Sequence, residues 1–363
     1  MIYLDYNATA PLHPQVKKAM DEVADLPLNP SSIHAAGREA RKLKEKARSK
    51  ILDFVGAEAL VFCGSATEAN NLALNQSREL SGESRVIISS VEHESVFKAA
   101  ANATIIDVDK NGLLKIEELE KKLSMVNGQC SLVSIILANN ETGVIQDIKS
   151  IAALAHKYGA LIHIDAVQAF GKIPLNFADM GVDMMTISAH KIGGAVGAAA
   201  LVHKKDLELK PLMFGGGQEH NKRPGTENIV GIVGFAASCE VFTSPSPSYE
   251  EANLRDYLEA EILKVAPDTI IHGSGAKRLP NTTNISMPNL QAATQLIHFD
   301  SKGICVSSGS ACSSGKVEES RVLKAMDVPL RKNAIRISLG WGTTKAEIDV
   351  FVKEWKELYE RRE

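Results

Sequence analysis

The chain has 363 residues, 44% hydrophobic and 23% charged, with 41 basic against 44 acidic side chains and a formal net charge of −3. Ordinary apolar content and small net charge exclude intrinsic disorder, and the length suggests two domains with a core that needs no staples. The near-neutral balance leaves no nucleic-acid or membrane footprint, and no apolar run approaches the roughly 18 residues of a membrane span. The start, Met1-Ile2-Tyr3-Leu4-Asp5, lacks the basic and apolar regions of a signal peptide. Five cysteines make no disulfide framework, so a cytoplasmic protein with free thiols is expected.

In chain order, the first chemical signal is Gly64-Ser65-Ala66-Thr67-Glu68, ahead of a helical stretch expected over Ala69–Leu80. Small residues and hydroxyls at a helix N-terminus suit a phosphate, which meets free N–H groups and the positive end of the dipole. A plain capped helix start has the same pattern. A buried strand is expected over Val86–Ser90, and His93 follows it. A histidine there can stack on a planar cofactor and move protons, or simply cap the next helix. A helix over Lys115–Met125, a strand over Leu132–Ala138 and a helix over Asp147–Tyr158 come next. Gly159 stands where a C-terminal cap belongs.

The strand Leu161–Ile164 leads into Asp165, with Gln168 three residues on. A carboxylate at a strand's carboxyl end can pair with a protonated pyridine nitrogen and make that ring an electron sink, or it can cap a helix. Met184–Ser188 is the next strand, running into His190 and Lys191 before Gly193-Gly194. A lysine at the exit of a buried strand is badly placed for ordinary solvation. It reads equally as a surface lysine in a turn or as a Schiff-base lysine holding an aldehyde cofactor. A strand over Ala198–Val202 and a helical pattern over Gly231–Phe242 follow. Short strands rich in Val and Ile, alternating with helices, predict a mainly parallel sheet covered on both faces, with ligands at the carboxyl ends of its strands.

Thr243–Ser248 reads as a linker, and beyond it a smaller α+β domain is expected, with helices over Tyr249–Val265 and near Ala346–Tyr359. Cys312 sits in the small, polar, Gly-rich run Ser307–Gly315, an unusual setting for a residue type that is normally buried. Arg336 alternates with Ile on a strand, where its fork suits a carboxylate or simply faces water. No cysteine pair has zinc spacing, so no metal is expected.

These segments, with Tyr3–Thr9, Asn29–Ser32, Asn139–Gly143, Gly215–Glu219 and Arg223–Glu227, resemble nearly end to end a cysteine desulfurase of the NifS/IscS type. That resemblance implies an α/β fold of the pyridoxal-phosphate-dependent, class V aminotransferase kind. A large domain would span residues 13–243. A small one would span 1–12 with 244–363 and carry a mobile cysteine loop at about 305–318. It further implies pyridoxal 5′-phosphate on Lys191, with Asp165 at the ring nitrogen, Gln168 at the ring hydroxyl and His93 stacked on the ring. Thr67, Ser188 and His190 would bind the phosphate, and Thr226 would reach the partner's cofactor across a homodimer. Asn140 and Arg336 would hold L-cysteine, and Cys312 would take its sulfur as a persulfide for an acceptor protein such as an Fe–S scaffold, serving Fe–S cluster assembly or tRNA thiolation. The thiol's proton would pass to a neighbour such as His93.

The chain departs from the pattern at Gly194-Ala195-Val196-Gly197, at Cys63-Gly64-Ser65 and at Trp341, and from its last helix the resemblance leads one to expect that a longer C-terminal tail used for scaffold docking is missing. These departures bear on partners more than on chemistry. A related lyase acting on selenocysteine shares the same lysine and ring contacts. A cofactor-free scaffold subunit is disfavoured by Lys191, Asp165 and Cys312 together.

Overall fold

The computed structural model describes residues 1–77, 86–125, 132–242, 246–309 and 319–362. Its strands, in chain order, are β1 (Ile2–Tyr3), β2 (Ala59–Cys63), β3 (Val86–Ser89), β4 (Thr104–Ile106), β5 (Leu132–Ile136), β6 (Leu161–Asp165), β7 (Met184–Ser188), β8 (Ala199–His203), β9 (Ile270–Ile271), β10 (Thr282–Ser286), β11 (Ile304–Cys305) and β12 (Ala334–Ser338).

Among the described residues, seven strands form the main sheet in the order β2-β8-β7-β6-β5-β3-β4. All run parallel except β8, which is antiparallel to both β2 and β7. Strands β5, β7 and β8 are buried along their whole length, as continuous apolar runs require when helices cover both faces. On one side lie the helices Ala35–Val55 and Ile229–Val241, packed together, with Phe170 and Phe235 edge to face at 5.6 Å. The helix Ile148–Lys157 shows how local chemistry sets its limits. The Asp147 side chain accepts from the Ser150 N–H at its start, and Gly159 adopts φ +75° just past its end.

A second core gathers Phe299, Phe351 and Trp355, with the Phe299 and Phe351 rings stacked at 4.8 Å. It is built on the antiparallel sheet β12-β10-β9 and the helices Ser246–Val265, Ala292–Ser301 and Lys345–Glu360. The N-terminal strand joins it, because β1 pairs with β11 and Leu4 is buried there. Leu279, from the C-terminal half, packs instead in the first core.

Two expectations need correction. The helix expected from Ala69 begins at Ala66, because the Ser65 side chain caps it by accepting from the Glu68 N–H, and it ends at Asn75. The linker reading of Thr243–Ser248 fails for Ser246–Ser248, which open a helix, since proline is tolerated in a first helical turn. The sheet is mainly parallel, as expected, with β8 the one reversed strand among the described residues.

Candidate active site

Each of the parallel strands β2, β3, β5, β6 and β7 delivers a side chain to one place just beyond its carboxyl end. A cavity of about 480 Å³ opens there, lined among others by Thr67, His93, Asn140, Asp165, Gln168, His190, Lys191 and Arg336. Five strand ends thus gather residues spread from 67 to 191, and β12 of the second unit supplies Arg336.

Lys191 follows β7 on a short 3₁₀ turn, Ala189–Ile192, that Gly193 ends with φ +72°. Its Nζ donates to the carbonyls of Asn7 and Ala8, each at 2.7 Å. Burial, with help from the Arg336 guanidinium, lowers its ammonium from the ordinary lysine range to about 8. Asp165 ends β6 and is buried; its Oδ1 accepts from the Val167 N–H at 3.0 Å and its Oδ2 from Asn70 Nδ2 at 2.8 Å. It forms no ion pair among the described residues. A buried carboxylate in that state lacks a cation, and a protonated ring nitrogen in the cavity is the kind of group that supplies one.

His93 is both a cap and a cavity residue. Its Nδ1 accepts from the Ser95 N–H at 3.2 Å and lies 2.8 Å from Ser95 Oγ. With Nδ1 held by Ser95, Nε2 is the ring nitrogen left for the cavity that His93 lines. Ser95 Oγ in turn accepts from Asn70 Nδ2 at 2.9 Å, so one amide bridges Ser95, the partner of His93, and Asp165. Burial and the neighbouring lysines Lys191 and Lys172 lower His190 to about 4, which keeps it neutral; its Nδ1 lies 3.2 Å from Thr9 Oγ1.

Arg336 does not face water. It is almost fully buried, its Nη2 pairs with Asp5 at 2.6 Å and its Nη1 donates to the Asn140 carbonyl at 3.0 Å, while its Nε is buried without a partner.

The model of the aminotransferase class-V family matches residues 2–351. The chain belongs to the class-V aminotransferase family. Within that family it is 40% identical to a cysteine desulfurase of Trichormus azollae, over 99% of this chain and 93% of the relative. It is 39% identical to the cysteine desulfurase IscS of Dictyoglomus turgidum, over 99% and 95%. The X-ray structure of a NifS-like protein from Rickettsia africae ESF-5 superposes with a TM-score of 0.92 at 40% identity, covering 99% of each chain.

Not every expected residue of this family member meets at the cavity. Ser188 is buried at the end of β7, next to His190 but outside the cavity lining. Thr226 is exposed in a separate segment. That segment follows Glu219, His220 and Asn221, all in the left-handed region at φ 48°, 56° and 66°. Their strained backbone is held by the buried Glu219 carboxylate, which accepts from Arg48 at 2.7 Å, Lys44 at 3.2 Å and the Phe62 N–H at 2.9 Å. Cys312 lies outside the described residues. Gly309 lines the cavity, and the chain is described again from Glu319. Of the other thiols, Cys63 and Cys239 are buried and burial pushes both upward, so neither offers a thiolate.

Sequence reasoning missed Asn7, Asn70, Ser95 and Lys172. Asn7 and Asn70 stand within the motifs Tyr3–Thr9 and Ala66–Asn71, and that placement was the only available signal. Lys172 is buried, with Nζ 2.7 Å from Asn7 Oδ1 and 2.8 Å from Gln168 Oε1.

Proposed function

We infer that the protein is a cysteine desulfurase. It holds pyridoxal 5′-phosphate in the Lys191 cavity, removes sulfur from L-cysteine to leave L-alanine, and carries that sulfur as a persulfide on Cys312 to an acceptor protein such as an Fe–S scaffold. The observation that carries this reading is the meeting at one cavity of Lys191, the guanidinium of Arg336 and the carboxylate of Asp165, which forms no ion pair among the described residues.

The residues present fit the cofactor. Asp165 supplies the anion for a ring nitrogen, Gln168 a partner for the ring hydroxyl, and His93 a flat ring to stack. Thr67, Ser188, neutral His190 and the free N–H groups at the start of the helix Ala66–Asn75 suit a phosphate. Thr226 would complete the phosphate site of a second copy in a homodimer. When bound, the cofactor takes up the electron pair left on the substrate carbon as sulfur departs.

The chain's own part is to hold and to accept. Arg336 Nε, unpartnered and buried, offers a donor to the substrate carboxylate, beside Asn140. Lys191 loses its proton readily because burial opposes its charge, and its amine is the covalent anchor. Cys312 stands three residues beyond Gly309 in the sequence. Its thiolate attacks the substrate sulfur: an S–S bond forms as the C–S bond breaks, the electron pair stays on carbon, and a proton added there completes alanine. His93, fixed by its cap, lines the same cavity.

A single-turnover experiment tests this. Cys312→Ser should fold, take up the cofactor and bind cysteine, yet release almost no alanine, because a hydroxyl is a far weaker nucleophile than a thiolate. Alkylation of the wild-type protein after brief exposure to cysteine should place one extra sulfur on the peptide carrying Cys312. Extra sulfur on Cys63 or Cys305 instead, or normal turnover by the serine variant, would sink the assignment.

A further inference from the structure

Lys172 has no place in the chemistry above, and it is costly to bury. It is 7% exposed, and burial lowers its ammonium to about 7. The charged groups around it are Lys191, Arg336 and the buried Glu251. Its Nζ reaches two amide oxygens, Gln168 Oε1 at 2.8 Å and Asn7 Oδ1 at 2.7 Å. A lysine nitrogen of either charge state has at least two N–H groups to give. In its ammonium form it has no lone pair with which to accept.

That constraint propagates. Facing Lys172 with its oxygen, Asn7 turns its Nδ2 to Thr282 Oγ1 at 2.9 Å and to the Asn140 carbonyl at 3.2 Å. Gln168, held the same way, donates one Nε2–H to the Asn7 carbonyl at 2.9 Å. Its second Nε2–H is the group left for the cavity that Gln168 lines. With its oxygen turned to Lys172, Gln168 presents an N–H donor to the cavity.

We propose that Lys172 is a positioning residue that orients Gln168 with its N–H toward the cavity, so that the site favours the cofactor's ring oxygen as an anion over a hydroxyl. This rests on the cofactor reading above. Gln168 is the residue that touches the ring oxygen, and Lys172 acts only through it. Lys172 also lines a small cavity together with Lys191 and Glu251.

The test is a pH titration of the visible absorption of the protein loaded with pyridoxal phosphate. A donor on the ring oxygen lowers the basicity of the chromophore, so losing it raises the midpoint. Lys172→Met should raise the midpoint by ~1 pH unit, a tenfold loss of preference for the anion, and Gln168→Met should raise it about as much. The double variant should show no further rise, since both changes remove one interaction. Lys172→Gln, which drops the charge and keeps a donor, should stay close to the wild-type midpoint, and it carries the test with Gln168→Met if Lys172→Met does not fold. Additive shifts in the double variant, or a Lys172→Gln midpoint displaced as far as that of Lys172→Met, would mean that Lys172 acts by its charge alone and would overturn the proposal. A wild-type protein that takes up the cofactor, with midpoints unmoved in both Met variants, overturns it while leaving the cofactor reading intact. A wild-type protein that develops no visible band overturns both.

Discussion

The cavity's grip on Lys191 has a direct kinetic consequence in the cofactor-free protein. Only a neutral amine attacks an aldehyde. Burial opposes the charged ammonium and Arg336 adds repulsion, so the side chain gives up its proton near pH 8 instead of 10.5. At pH 7 such a group is neutral about one time in eleven, whereas an ordinary lysine is neutral about once in three thousand, a difference of roughly 300-fold in reactive amine. The sign follows: the neutral fraction rises with pH, and most of the rise is complete once pH passes the lowered value. Cofactor-free protein mixed with pyridoxal phosphate in a stopped-flow instrument should show covalent capture that accelerates from pH 6 and levels off a little above pH 8. Borohydride reduction should then fix the added mass on the peptide carrying Lys191, and Lys191→Ala should lack the covalent phase while retaining some noncovalent binding. A rate that keeps climbing tenfold per pH unit through pH 9.5 would mean that Lys191 is solvated like a surface lysine, and the desolvation argument would be refuted.

Other outcomes follow from packing and from the second copy. Trp355 is fully buried beside Phe351 and Phe299, so Trp355→Ala should cost about 3–5 kcal/mol in denaturant unfolding of the C-terminal core; a loss below 1 kcal/mol would contradict this packing. A Cβ on Gly340 would lie 2.0 Å from the Tyr6 ring, so Gly340→Ala should destabilise by about 1–3 kcal/mol or more by overpacking, read by thermal melting. Thr226 is exposed and Phe214 is 91% exposed, as the surface of a two-fold partner would require. Light scattering should report a homodimer, and Thr226→Ala should release the cofactor more readily at an unchanged melting temperature; a fully active monomer would end that reading.

Much of this protein was legible in its sequence, because much of it is decided locally. Short apolar runs such as Met184–Ser188 declare buried strands through side-chain character alone, and Asp147 and Gly159 mark a helix by the conformations that they cap. Asp165 and Lys191 announced themselves by standing at strand ends in an α/β pattern, where the sheet puts its ligands. What the chain could not show locally was direction and partnership. Nothing in the composition of Ala199–His203 says which way it runs; it is antiparallel because the connection from Ser188 is too short for the crossover that a parallel neighbour needs. Nor does any periodicity foretell that Asn70 bridges Asp165 and Ser95, or that Lys172 turns the amides of Gln168 and Asn7. These residues are polar and buried, and what each one does depends on which donor or acceptor the fold brings to it from as far as 165 positions away. Hydrogen-bond direction in a buried network is a property of the assembled set, so only the tertiary structure could decide it.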